Sequence, residues 1–175
     1  VRLGDGSCLD LSPDGRWALA AVSPTRLDIL PCGAGSPRTI PLSGIEIHNA
    51  AWFPDGESIC VLGLEGGGDA RLFKVDAITG KAEAFSQPGI SSYEIIVSPD
   101  GKSVASRGPD RRLMRYPVDG GPAAPIDGVL PTERAVKWSQ DGTSIIAFSR
   151  GELPSKGTRI DIATGERHPW RELSP

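Results

Sequence analysis

An all-β chain made of four four-stranded antiparallel units is predicted by three observations. One turn phrase recurs four times, its flanks alternate as strands do, and glycine and proline are abundant enough to end every strand early. The phrase reads "LSPDGRWALA" from Leu11, "WFPDGESICV" from Trp52, "VSPDGKSVAS" from Val97 and "WSQDGTSIIA" from Trp138. Its aspartates, Asp14, Asp55, Asp100 and Asp141, are spaced 41, 45 and 41 residues apart. With 22 Gly and 16 Pro in 175 residues, no stretch keeps a helical period beyond a turn or two.

The phrase has a mechanical meaning. Pro13, Pro54 and Pro99 fix φ near about −65° for the second position of a type I turn, and the aspartate suits the third. Gly15, Gly56, Gly101 and Gly142 take the left-handed conformation that closes a bulged hairpin. Gln140 replaces proline in the fourth copy, where the Asp141-Gly142 pair still suffices.

The strand before each turn is apolar at alternate positions. Leu11, Trp52, Val97 and Trp138 stand three residues before the aspartate, and Leu9, Ala50, Ile95 and Val136 stand five before it. The strand after it begins with an apolar run: Ala18-Leu19-Ala20, Ile59-Cys60-Val61, Val104-Ala105-Ser106 and Ile145-Ile146-Ala147. Such runs suit central strands covered on both faces.

An outer hairpin follows. "RLFKVDAITGKAEAF" turns at Thr79-Gly80, "RLMRYPVDGGPAAPI" at Gly120-Gly121 and "TRIDIATGERHPW" at Thr164-Gly165; "TRLDILPCGAGSPRTIPL" carries a longer glycine turn. Four short strands in a period of roughly 40 to 45 residues define propeller blades, here placed at residues 7–42, 47–86, 92–127 and 133–173 of one domain.

These residues carry a family resemblance. S-P-D-G followed by Arg or Lys and an apolar strand, then "DAITGK" or "DIATGE" closing an outer hairpin, resembles the WD-type repeats of TolB-like bacterial propellers over nearly the whole chain. Similar blades occur in TolB, in propeller domains preceding prolyl-oligopeptidase-type hydrolases, and at the C-termini of bacterial membrane kinases. The resemblance therefore implies an extracytoplasmic binding or scaffold module, in one setting a sensor attached to a kinase. The alternative is the gating propeller of a hydrolase whose catalytic domain lies elsewhere. Rings of this kind usually hold six or seven blades, so four imply an open or partial propeller. On that reading Val1-Arg2-Leu3 ends the outer strand of a preceding blade. The two end blades are then expected to expose apolar faces that invite self-association.

The totals narrow the partners. Nineteen Lys and Arg against 22 Asp and Glu give a net charge of −3, which offers no basic field to nucleic acid and no polybasic footprint for membranes. No apolar run is long enough to span a bilayer. Cys8, Cys32 and Cys60 contain no C-x-x-C pair and are expected to be buried small hydrophobes; neither a metal site nor a cofactor is expected.

Gly101-Lys102-Ser103 spells the end of a phosphate-binding P-loop, but Ile96 stands where its first glycine belongs and a strand follows instead of a helix. "GLEGGG" at 63–68 lacks the dinucleotide spacing and is expected to be a loop between strands. The nucleophile elbow G-x-S-x-G is absent, and His48 and His168 show no pattern of a Ser-His-Asp site, so no catalytic residue is assigned. A lyase-type propeller with a channel metal would need several His or carboxylates at the rim, where only one histidine is expected.

Two places are candidates for binding. Arg107, Arg111, Arg112 and Arg115 cluster in "RGPDRRLMR", either as a solvated loop or as a grip on an acidic partner or carboxylate. Seven residues before each turn aspartate, where the innermost strand starts beside the channel, stand Ser7, His48, Tyr93 and Arg134, with Glu94 and Glu133 next to them. In a meandering blade these positions share a disc face with the loops at 63–70 and 149–157, opposite the S-P-D-G turns. Channel-mouth positions that vary among polar types suit ligand or protein contact, or else are simply wet.

Overall fold

In every copy the turn glycine is left-handed, with φ between 68° and 71°, and its amide donates to the carbonyl three residues back, that of Ser12, Phe53, Ser98 or Ser139. Asp14 Oδ1 accepts from the Ser12 hydroxyl at 2.6 Å and the Arg16 amide at 3.0 Å; Asp100 repeats this with Ser98 and Lys102, and Asp141 with Ser139 and Thr143. Phe53 stands where the other copies have serine, and there Asp55 accepts from the Glu57 and Ser58 amides instead. The turn hydroxyl, where present, lowers the pKa of Asp14, Asp100 and Asp141, and a backbone amide adds to the effect.

The computed structural model describes residues 6–151 and 153–173; the expected strand remnant at Val1-Arg2-Leu3 lies outside them. Four antiparallel sheets follow in chain order, each a simple meander. The first is β1 (Ser7–Leu11), β2 (Trp17–Ser23), β3 (Arg26–Pro31) and β4 (Arg38–Pro41); the second is β5 (Ile45–Trp52), β6 (Ser58–Glu65), β7 (Ala70–Asp76) and β8 (Ala82–Ala84). The third is β9 (Ile96–Val97), β10 (Ser103–Arg107), β11 (Leu113–Pro117) and β12 (Ala124–Pro125). The fourth is β13 (Glu133–Trp138), β14 (Ser144–Ser149), β15 (Ser155–Asp161) and β16 (Arg167–Leu173). The architecture is a partial β-propeller of four blades.

A core fills each of the three junctions. Leu19, Ile29 and Ile40 of the first blade meet Ile59, Val61 and Phe73 of the second. Cys60, Leu62 and Leu72 then meet Val104 and Tyr116, and Ala105 and Leu113 meet Ala135, Trp138 and Ile145. Alternate residues of β6 and β10 thus serve opposite neighbours, which is why these second strands read as continuous apolar runs. All twelve residues of the four runs are buried.

The innermost strands obey the alternation less strictly. Leu11 is 55% exposed and Val136 43% exposed. Register shifts interrupt β1 at Leu9 and β13 at Val136, so a bulge turns Val136 outward; in β5 the shift falls at His48 and Ala50 stays buried. Gly63 is also not in a loop. It lies inside β6, where an added Cβ would come within 2.6 Å of Ile45 Cγ2 and 2.7 Å of the Glu46 carbonyl, so the connection is only 66–69. Of the cysteines only Cys60 is buried, with its thiol pKa raised by desolvation; Cys8 and Cys32 are exposed, in β1 and in the turn after β3.

The fourth sheet covers part of its apolar surface with its own side chains, while Val136, Trp170 and Leu173 stay exposed. Ile146 is 2% exposed, while Phe148 meets Trp170 edge-on at 5.8 Å and Lys137 and Arg171 sit over the indole at 5.2 and 5.0 Å. Among the described residues no helix is long and apolar enough to cross a membrane.

Candidate functional site

Glu94 organises the channel mouth between the third and fourth blades. It lies in the irregular segment before β9, and its backbone is pinned on both sides. Its amide donates to Ser92 Oγ at 2.9 Å, and its carbonyl accepts from Ser106 Oγ at 2.6 Å. The carboxylate, 5% exposed, receives Arg107 Nε on one oxygen at 3.1 Å and Arg150 Nη2 on the other at 2.5 Å. Arg107 is itself buried and donates on to the Arg111 carbonyl at 2.8 Å and the Glu133 carbonyl at 2.7 Å. The guanidinium fork therefore joins the third blade to the start of β13.

Around this pair opens a cavity of about 660 Å³. It is lined by Tyr93 and Glu94 from the third blade, Arg107 from the end of β10, Arg111 from the β10–β11 connection, Arg134 from β13 and Arg150 from the β14–β15 connection. Tyr93 is 65% exposed at the rim. Its carbonyl accepts from Asn49 Nδ2 at 2.6 Å, and its ring lies 5.4 Å from that of His48. The second blade thereby fixes the rim of the third.

The structure divides the residues singled out in the sequence. Tyr93, Glu94 and Arg134 converge on one cavity. His48 reaches it only through Tyr93, with Glu46 3.9 Å from its Nε2. Ser7 begins β1, two blades away from the cavity, and lines none of it. Glu133 starts β13 but turns its carboxylate away from the cavity. Arg167 grips both its oxygens at 2.7 and 2.9 Å, and the Leu130 amide donates to it at 2.9 Å. Burial alone would raise the Glu133 pKa, but these donors overcome it and hold the group below the usual carboxylate value.

The arginine cluster of "RGPDRRLMR" is likewise split. Arg107 and Arg111 belong to the cavity, whereas Arg112 pairs with Asp127 at 2.7 Å and Arg115 faces the turn side beside Asp100 and Asp141. Sequence reasoning missed Arg150, which approaches Glu94 across 56 residues of chain with no local pattern to announce it. Among the described residues no three His, Cys, Asp or Glu side chains converge as a metal-binding group.

Four meandering blades form a propeller arc that carries an arginine-lined cavity on the side away from the S-P-D-G turns. No protein-family model matches the chain, and no curated protein matches it in sequence. Solved structures do match it. The putative TolB from Agrobacterium tumefaciens aligns with a TM-score of 0.73 at 21% identity, over 93% of this chain and 60% of that one. TolB from Acinetobacter baumannii gives 0.71 at 22%, over 97% and 44%. An oligogalacturonate lyase from Vibrio parahaemolyticus gives 0.71 at 17%, over 100% and 56%. The fold is that of a TolB-like β-propeller, and the chain spans less than two thirds of each of these proteins.

Proposed function

We propose that the chain is a non-enzymatic, protein-binding propeller module whose contact surface is the channel-mouth face at the second to fourth blades, acting as an extracytoplasmic sensor or scaffold part of a larger bacterial protein. The observation that carries this reading is the convergence of Tyr93, Glu94 and Arg134 with three further arginines on one open cavity. Two blades line that cavity and a third braces its rim through Asn49 and His48, and a propeller surface built by several blades suits a partner that touches all of them. The groups there are guanidiniums, one paired carboxylate, an aromatic ring and two serine hydroxyls tied to backbone, Ser91 to the Gly108 carbonyl and Ser92 to the Glu94 amide. That set recognises and anchors, and it contains no nucleophile held by a base.

Photo-crosslinking tests the reading. A crosslinking residue at Tyr93 or Arg134 is expected to capture a discrete partner in extracts of the source bacterium. The same residue at Ile78, 78% exposed on the turn side of the second blade, is expected not to. Equal capture from both faces, or capture from Ile78 alone, would remove the mouth as the contact surface.

A further inference from the structure

We propose that the channel-mouth cavity recognises an acidic polypeptide segment, with Arg111 and Arg134 taking a carboxylate side chain of that segment and Tyr93 covering it; this rests on the mouth being the binding surface. The cavity lining sets four guanidinium groups around a single carboxylate, in a chain whose net charge is −3. That carboxylate, Glu94, already engages two of the four through Arg107 and Arg150. Arg111 and Arg134 are both exposed, and neither has a carboxylate partner among the described residues. The site thus contains one worked instance of its own chemistry: a buried carboxylate received on both oxygens by arginines from two blades. The remaining pair also comes from the third and fourth blades and lines the same cavity, exposed to solvent.

The backbone at Arg111 adds a second observation. It is the only residue other than glycine with positive φ among the described residues, at 63°. Its carbonyl accepts from Arg107 and its amide donates to Gly108, and glycine would satisfy both contacts with less strain. Keeping a long cationic side chain in a left-handed position is the kind of outlier found at binding clamps.

Shape and charge select the class of ligand. The rim includes the exposed ring of Tyr93 and the ring of Pro131, which give flanking residues of a peptide apolar surface that a free dicarboxylate would not use. With acidic residues outnumbering basic ones overall, a nucleic-acid backbone would meet repulsion beyond this one patch.

The probe is dye-labelled hexaglutamate, followed by fluorescence anisotropy on the 175-residue chain at physiological salt. Saturable binding is expected, displaced by unlabelled hexaglutamate and not by hexaglutamine. Arg134→Gln and Arg111→Gly are each expected to weaken it about ten-fold, the loss of one charge-assisted contact. Arg111→Gly is expected to leave the chain as stable as before or more so, which separates lost binding from lost folding. Absent binding, binding indifferent to both substitutions, equal displacement by a thymidylate oligomer, or equal affinity for glutarate would each overturn the proposal. Partner crosslinks through Tyr93 without hexaglutamate binding would remove the acidic specificity and leave the binding-module reading standing. Crosslinks confined to Ile78 would remove both.

Discussion

The two faces of the disc are built on opposite principles. On the turn face the same residues do the same work in each blade: a left-handed glycine closes the turn, and its aspartate accepts the amide two residues on. On the mouth face the equivalent positions hold Ser7, His48, Tyr93 and Arg134, and their surroundings differ: Tyr93 and Arg134 line the cavity, His48 lies against the Tyr93 ring, and Ser7 stands two blades away. The turns must repeat because each has to return the chain into the same hairpin. The loops at the other end are released from that constraint, so the residues there are free to serve one site. That site is fastened across the blades by the Glu94–Arg150 ion pair and by Arg107 on the Glu133 carbonyl, in place of local turn chemistry.

The largest expected effect falls on the mouth. Glu94→Ala would strand Arg107, whose side chain is 8% exposed, as a buried unpaired charge. It is expected to cost about 3–5 kcal/mol in urea unfolding, as when one partner of a buried pair is removed. A loss within 1 kcal/mol, roughly the worth of an exposed pair, would mean that the network does not hold the third and fourth blades together.

A second contrast lies between the faces, along the channel. Trp138 and Trp52 occupy the same position of their blades and are equally buried. Trp138 Nε1 donates to the Ile96 carbonyl of the preceding blade at 2.9 Å, whereas Trp52 Nε1 has no partner among the described residues. Substitution by phenylalanine removes similar volume at both, so the hydrogen bond decides the order. Trp138→Phe is expected to destabilise by about 1 kcal/mol more than Trp52→Phe. Equal losses would show that the Ile96 carbonyl finds water once the indole is gone.

On the turn face, Gly101→Ala is expected to cost about 1 kcal/mol. An added Cβ would stand 3.5 Å from Pro54 Cδ, an ordinary contact, so the loss comes from the backbone at φ 68° and not from a clash. Arg134→Gln at the mouth is expected to change stability by less than about 0.5 kcal/mol. Together the two substitutions would separate residues that shape the fold from residues that serve its site.

This asymmetry also explains what the sequence made legible. Asp14, Asp55, Asp100 and Asp141 announce the hairpins because turn chemistry is local, confined to residues two or three apart. Tyr93, Glu94 and Arg134 were found by counting back from those turns, a register argument that needs only the repeat. The same count offered Glu133 as a rim group, and nothing nearby in sequence signals that Arg167, 34 residues on, draws its carboxylate away. Arg150 escaped notice for the same reason. Its partner is set by the angle between blades, which no short stretch of chain encodes. Val136 reads as inward-facing in the sequence, but a bulge shifts its side chain by one register position, and bulges leave no mark in an apolar alternation.

The smallest effect sharpens the contrast through pH. Asp100 has a folded-state pKa below its ordinary value, chiefly from the Ser98 hydroxyl and then from the Lys102 amide. A carboxylate with a depressed folded pKa contributes stability that is fully present above its unfolded pKa, about 3.9, and lost as pH falls toward the folded value. Asp14 and Asp141 on the same face, and Asp76 and Asp161 in the outer turns, are shifted in the same direction. The urea midpoint is therefore expected to stay level from neutral pH to about pH 5 and to decline below about pH 4. Asp100→Asn keeps an oxygen for Ser98 and Lys102 but cannot be protonated, so its decline should be shallower than that of the unsubstituted chain. Glu133→Gln removes a depressed carboxylate from the mouth side and should flatten the same window, from a lower starting stability because Arg167 loses its partner. Parallel acid curves for all three would place the acid sensitivity in neither the repeated turns nor the Glu133–Arg167 pair.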